Sequence, residues 1–291
     1  MAGKARTSER DLVVSGHVNV DRFLRVVRFP RADRTEPVAR ARTELGGTAT
    51  TIALVAAGRG VRVGLLARIG DGFPDSFRRR MSSAGLDLGG LETVGGRSTP
   101  TCIIIEDRRG SQRTLIDQGP MGDDRAAPIP LPWLRRHAWV HVGTGPPSYQ
   151  LRLAEVARDA GLRVAADPAQ EIFYRWSARP LRRLLACSEI LFGNAGEIAR
   201  AARLAGVSGT RGLLPKVPLV VRTEGRAGVT SFSRAGREHL PSLRPSRVES
   251  LVGAGDAFRG GFYGGFFAGE PLRACLAQGT RSASRWIAGS R

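Results

Sequence analysis

The sequence predicts an α/β domain: a mostly parallel sheet with helices on both faces, and a small second sheet at one edge. Three observations point there. Apolar runs of strand length alternate with amphipathic stretches of helical period along most of the chain. Two segments interrupt that rhythm with short strand-like runs. The chain has 291 residues, 42% of them hydrophobic, enough to fill the core of a single domain spanning residues 1–291.

In chain order, "DLVVSG" reads as a buried strand, "TATTIALVAAGRG" as a helix closed by glycine, "VRVGLLA" as a strand and "FPDSFRRRMSSAG" as a helix ending at Gly85. The rhythm resumes with strand "AWVHVG", helix "YQLRLAEVARDAG", strand "LRVAAD", helix "SARPLRRLLA", strand "SEILFGN", helix "AGEIARAARLAG" and strand "VPLVVRT". Such repetition implies right-handed crossovers, hence parallel neighbours with helices on both sides. The interrupting segments are "RFLRVVRFPRADRTEPVARARTEL" and "TPTCIIIEDRRGSQRTLIDQ", the second a hairpin turning at Asp107 to Gly110. Together they predict a small antiparallel sheet over one edge of the main one.

A formal net charge of +19 invites a nucleic-acid partner, because clustered cations release counterions from phosphates. The distribution argues otherwise. Lys4 and Lys216 are the only lysines, and the arginines are scattered without the interleaved aromatics of a base-stacking groove. No nucleic-acid partner is expected, and a positive field would instead gather an anionic small molecule. The opening "MAGKARTSER" is polar and basic, and no apolar run reaches membrane-spanning length, so a cytoplasmic protein without membrane contact is expected. Cys102, Cys187 and Cys275 fit neither a disulfide framework nor a zinc site. His17, His137, His141 and His239 show no ligand spacing and are expected to be structural.

The chemistry concentrates in "LVGAGDAFRGGF", residues 251–262. Gly253 and Gly255 let the backbone turn tightly with its N–H groups outward, and the helix that begins there adds its positive dipole end. An anion site results. Asp256 falls in the first turn, where the dipole is expected to favour the ionised, proton-accepting form; an ordinary helix-start aspartate would occupy the same place. Phe258, Phe262 and Phe266 share one face, and Gly260, Gly261, Gly264 and Gly265 leave a thin face for close packing.

With "GHVNVDRFLRV", "ELGGTATTIALVAAGRGVRVGLLARIGDGF", "NAGE", "VVRTEGRAG" and "VGAGDAF" in this order and spacing, the chain resembles the ribokinase-like, or PfkB, kinases over nearly its whole length. The resemblance implies a three-layer αβα sandwich with a β lid formed by residues 18–45 and 97–119. It implies an ATP-dependent kinase working with Mg²⁺. On its pattern Asp256 is the catalytic base, and Gly253, Ala254 and Gly255 form the anion hole with the Asp256 amide. Loose phosphoryl-transfer transition states ask mainly for positioning and charge stabilisation, so a weak base suffices. Asn19, Asp21, Gly46 and Gly47 match acceptor-binding positions, and Thr51 stands where the family often has Asn. Asn194 and Glu197 match the N-x-x-E motif linked to Mg²⁺ and phosphate. Thr223, Gly225 and Gly228 match a turn near the nucleotide. No direct protein ligand to the metal is assigned.

Within the family, "HVGTGPP" and "AADPAQEIFYRW" look most like nucleoside kinases of archaeal type, which adds Asp167 and Gln170 as acceptor-lining residues. Phe23 and Ile103 to Ile105 are apolar lid residues able to cover a base. The expected acceptor is a nucleoside at its 5′-hydroxyl; a free sugar such as ribose or fructose is the alternative, and a non-catalytic ligand-binding relative the second. Ser250, Leu251 and Val252 replace the usual hydroxyl-rich stretch, so little activation by K⁺ is expected. The sequence stops at Arg291, where relatives commonly continue, and part of the adenine wall is expected to differ. A monomer, or a homodimer through the lid, is expected.

Overall fold

The computed structural model describes residues 11–123 and 127–289, so the basic opening segment and the end of the chain at Arg291 lie outside the described residues. The first half runs β1 (Asp11–Ser15), β2 (Asn19–Val26), β3 (Val38–Gly46), α1 (Thr48–Ala57), β4 (Arg62–Asp71), α2 (Asp75–Ser83), β5 (Asp87–Ser98), β6 (Thr101–Glu106) and β7 (Gln112–Asp117). There follow α3 (Leu131–Leu134), β8 (Trp139–Val142), α4 (Pro147–Asp159), β9 (Arg163–Ala166), α5 (Ala178–Cys187), β10 (Ile190–Asn194) and α6 (Ala195–Ala205). The last elements are β11 (Leu219–Thr223), β12 (Val229–Ser233), β13 (Gly236–Leu240), α7 (Ala254–Phe267) and α8 (Leu272–Ile287).

Among the described residues the main sheet has nine strands in the order β13-β12-β11-β10-β9-β8-β1-β4-β5. From β11 to β5 all neighbours are parallel, while β12 and β13 close one edge as an antiparallel hairpin. Strands buried on both faces read as unbroken apolar runs, which is why β8 is buried throughout and β4 at all but its end residues. One core cluster lies between the sheet and α4, α5 and α6, with Leu153, Leu184 and Ala201 fully buried. The other lies beneath α1, α2, α7 and α8, with Ile52, Met81, Phe262 and Leu276.

The second sheet has the order β3-β2-β6-β7 and is mixed, not antiparallel as expected: β2 pairs antiparallel with β3 and parallel with β6. The two strand pairs come from separate excursions of the chain, and both excursions leave the main sheet in the same direction. The expected lid segments also shift at their margins. Residues 97 and 98 complete β5, where Ser98 pairs with Asp71 in the main sheet, and Gly46 still belongs to β3.

No helix among the described residues is long and apolar enough to cross a membrane.

Candidate active site

In open α/β sheets ligands bind beyond the carboxyl ends of the strands. Here His17 follows β1, Thr144 follows β8, Asp167 follows β9, and Asn194 and Thr223 end β10 and β11. Loops from adjacent parallel strands therefore meet along one rim.

In the turn before α7 the Ala254 amide, expected in the anion hole, donates to the Leu251 carbonyl at 3.3 Å, and the left-handed conformation falls on Gly253 and not on Gly255. Gly253 is the N-cap with φ 79°, a left-handed conformation that favours glycine, and its carbonyl accepts from the Ala257 amide at 2.8 Å. A side chain at Gly253 would press on the Trp286 indole, whose Nε1 donates to the Val252 carbonyl at 2.7 Å. The end of α8 thereby braces the turn. Ser250 turns its hydroxyl to the Val252 amide at 3.2 Å.

Asp256 is half-buried in the first turn of α7 and makes no hydrogen bond of its own among the described residues. Its carboxyl is pushed up to about 7. Burial is the main cause, Arg259 opposes it, and the carboxylates of Asp167, Glu197 and Asp21 add to it. The expectation that the helix dipole would keep this group ionised is thus corrected: desolvation and like charges outweigh the dipole. A group near 7 is well placed to accept a proton at neutral pH.

On the acceptor side, β2 and β3 pair Asn19 with Gly46 and Asp21 with Glu44. A side chain on Gly46 would overlap the Asp21 carboxylate, and one on Gly47, which has φ 97° as N-cap of α1, would strike the His17 carbonyl. The diglycine is required by this close approach. Thr51 is buried in α1, its amide bonded to the Gly47 carbonyl at 3.1 Å. His17, expected to be structural, lies within this group. Its Nδ1 sits 2.7 Å from Thr144 Oγ1, which in turn lies 2.8 Å from Thr48 Oγ1. Burial first, and Arg175 second, lower its pKa to about 4, so the ring is neutral. Its Nε2 and the Asn19 Oδ1 are buried without a hydrogen-bond partner among the described residues, an arrangement that costs free energy unless a ligand completes it.

Asp167 and Gln170 part company. Asp167 is buried and both its oxygens are engaged by Arg259, with Nη2 to Oδ1 at 3.0 Å, while His141 Nε2 lies 3.5 Å from Oδ2. Burial alone would raise this carboxyl; Arg259 and His141 hold it well below the ordinary range. Asp167 is 3% exposed and its carboxylate is turned to Arg259 and His141, away from open space, which corrects the expectation that it lines the acceptor pocket. Gln170 is exposed, and its neighbour Glu171 is the buried group, accepting from the Gly145 amide and from Gln118 Nε2 at 3.2 Å.

Asn194 and Glu197 form a capping box on α6, with Glu197 N to Asn194 Oδ1 at 2.9 Å and Asn194 N to Glu197 Oε2 at 2.7 Å. Glu197 is buried, and its carboxyl is raised by burial and by Asp167. Thr223 ends β11, and Gly225 and Gly228 shape the tight turn into β12, where Gly228 N bonds Gly225 O at 3.1 Å.

Of the apolar lid residues, Phe23 pairs with Ile104 on the face that carries Asp21, with Arg42 4.1 Å from the Phe23 ring centroid. Strand alternation turns Ile103 and Ile105 to the opposite face, which corrects the expectation that all three could cover a base.

The pfkB family carbohydrate kinase model matches residues 9–288. A nucleoside kinase of Methanothermobacter thermautotrophicus is 30% identical over 272 residues, covering 92% of this chain and 86% of that protein. A cytidine kinase of Thermococcus kodakarensis is 31% identical over 284 residues, covering 94% of each. Among solved structures, the Methanocaldococcus jannaschii nucleoside kinase superposes with a TM-score of 0.88 at 24% identity, covering 96% of this chain and 91% of that one. Family match, fold and rim agree: the chain belongs to the pfkB carbohydrate kinase family and is a phosphotransferase with a hydroxyl acceptor.

Proposed function

We propose that this chain transfers the γ-phosphoryl group of ATP to the 5′-hydroxyl of a nucleoside, with Asp256 as the base. The observation that carries the reading is the pairing, on one rim, of a free-standing carboxyl near pH 7 at a glycine turn with the unpartnered buried atoms His17 Nε2 and Asn19 Oδ1. Those atoms, with the Asp21 carboxylate, suit the hydroxyls of a ribose, and the Arg42 guanidinium, lying over the buried Phe23 ring on the same lid face as Asp21, is placed to stack on a base. The relatives named as nucleoside and cytidine kinases support a nucleoside over a free sugar.

In this reading the acceptor hydroxyl lies against Asp256, which takes its proton as the new O–P bond forms. The amides of Gly253, Gly255 and Asp256 stabilise charge on the transferring group, while that of Ala254 is spent on the Leu251 carbonyl. Thr223, Gly225 and Gly228 lie beside the nucleotide. Among the described residues no three His, Cys, Asp or Glu side chains converge as a metal site. Asn194 at the end of β10 and Glu197 on α6 are the oxygen groups that would face the hydration shell of an Mg²⁺ brought in with the nucleotide. The ion supplies charge neutralisation of the phosphates.

The test is ADP release with ATP, Mg²⁺ and a panel of nucleosides and free sugars. Cytidine, inosine or adenosine should exceed ribose in kcat/KM by about 10-fold or more, the worth of one buried apolar face. A ranking with ribose or fructose above every nucleoside overturns the acceptor assignment, and no turnover of any acceptor overturns the kinase reading of the site.

A further inference from the structure

Arg259 lies one turn along α7 from Asp256 and is 5% exposed. Its guanidinium spends every nitrogen inside the protein. Nε and Nη2 hold the two oxygens of Asp167, and Nη1 donates to the carbonyl of Gly255 at 2.9 Å. Gly255 is in the anion-hole turn, and a side chain there would come within 2.9 Å of Nη1, so the guanidinium packs directly on that backbone. Behind Asp167, His141 Nε2 stands 3.5 Å from Oδ2, and His141 Nδ1 is 2.8 Å from the hydroxyl of Tyr263, which is on α7 one turn beyond Arg259. The contacts thus return to the helix they left, linking α7 to the ends of β8 and β9.

Stability does not account for this arrangement. Buried ion pairs give little net stability, because desolvating two charges offsets most of their attraction, and an apolar pair of the same volume often does as well. What a bidentate buried pair supplies is a fixed place. We propose that Arg259 and Asp167 are positioning residues for phosphoryl transfer: Asp167, set by β9, fixes Arg259, and Arg259 fixes the Gly255 carbonyl and the electrostatic surroundings of the Asp256 carboxyl. This rests on the assignment of Asp256 as the base. The charged groups facing that carboxyl are Arg259 from its own helix, Asp167 from the end of β9, Glu197 from α6 and Asp21 from β2. Arg259 lowers its proton affinity and the three carboxylates raise it.

The two residues therefore act on Asp256 with opposite sign although they form one pair, and this separates positioning from scaffolding. With ATP, Mg²⁺ and the best acceptor from the panel, the acid limb of kcat/KM should move to higher pH by about one unit in R259Q and to lower pH by about one unit in D167N. Both variants should lose about 10- to 100-fold in kcat at their own optimum, with KM for ATP and acceptor changed far less. R259K, which keeps the charge, should return the limb to the wild-type position. Limbs that stay in place in both single variants, or move the same way, overturn the proposal. Should a single variant fail to fold, as judged by circular dichroism, D167N/R259Q leaves no lone buried charge. That double variant should keep its limb near the wild-type position yet still show the reduced kcat, and wild-type kcat in it overturns the proposal. D256N serves as the control: turnover near wild type in D256N brings down the base assignment itself, whereas an inactive D256N with unmoved limbs brings down only the role of the pair.

Discussion

At Asp256 the same surroundings that make a good base also make an uncomfortable residue. Burial and neighbouring carboxylates hold its proton to about pH 7, and no side chain among the described residues hydrogen-bonds it. Asp256→Asn keeps the shape and loses the basicity, so turnover should fall by about 10²- to 10⁴-fold while ATP binding, followed by calorimetry, stays close to wild type. A variant retaining most of its kcat would remove Asp256 from the chemistry. Asp256 stands out in the sequence through the glycine turn before it, whereas Asn19 and Asp21 are picked out only by the family pattern they match. His17 is picked out by neither, although it stands two residues before Asn19 in "GHVNVD": a lone histidine in an apolar stretch looks the same whether its second nitrogen is bonded or bare. Arg259 was hidden differently. It lies at i+3 from Asp256, a spacing that puts both on one helix face, but in a chain with arginine in every segment a single arginine carries little signal. The family pattern marks Asp167 as acceptor-lining, yet the cation 92 positions away that holds it cannot be read from its own segment.

At the level of elements, the glycines of α7 are legible as a packing face and the structure shows against what. A side chain at Gly260 would come within 2.6 Å of Val55 Cβ and 2.7 Å of the Ile52 carbonyl, both on α1. Gly260→Val should therefore destabilise the fold by about 1 to 3 kcal/mol or more through overpacking, seen as a lower midpoint in urea. An unchanged midpoint would show that α1 can move away at little cost. The helices and central strands were readable because their apolar periods are strong. β5 was not, since "DLGGLETVGGRS" places glycines where β-branched residues usually mark a strand, and Trp133 fills the space they leave beside Gly89 and Gly90. The parallel pairing of β2 with β6 was out of reach for another reason: hairpins announce themselves locally, whereas this pairing joins strands some 80 positions apart, Val20 with Thr101.

For the molecule as a whole, the site makes demands on stability that depend on pH. The Asp256 carboxyl has a folded pKa of about 7, above its ordinary 3.8, so its contribution is present at low pH and is lost as pH rises from about 4 through about 7. His17 has the opposite dependence. Its folded pKa of about 4 lies below the ordinary 6.5, so its contribution is complete above pH 6.5 and is lost as pH falls through about 4. Asp256→Asn should thus raise the unfolding midpoint at pH 8 by about 2 to 4 °C for each kcal/mol relieved, and by much less at pH 5. Equal gains at both pH values would mean that the carboxyl is not strained by its surroundings. The brace between the end of α8 and the turn before α7 has an optical consequence. The indole of Trp286 rests on Gly253, at the rim where the phosphates would lie, while Trp133, Trp139 and Trp176 belong to or pack against the apolar core under the sheet. Indole emission responds to charge arriving within a few ångströms, so on the proposed placement of the phosphates Trp286 would report nucleotide occupancy. Titrating ATP should change the emission of the wild-type protein and leave that of Trp286→Phe nearly constant, giving a binding signal that needs no label and no turnover.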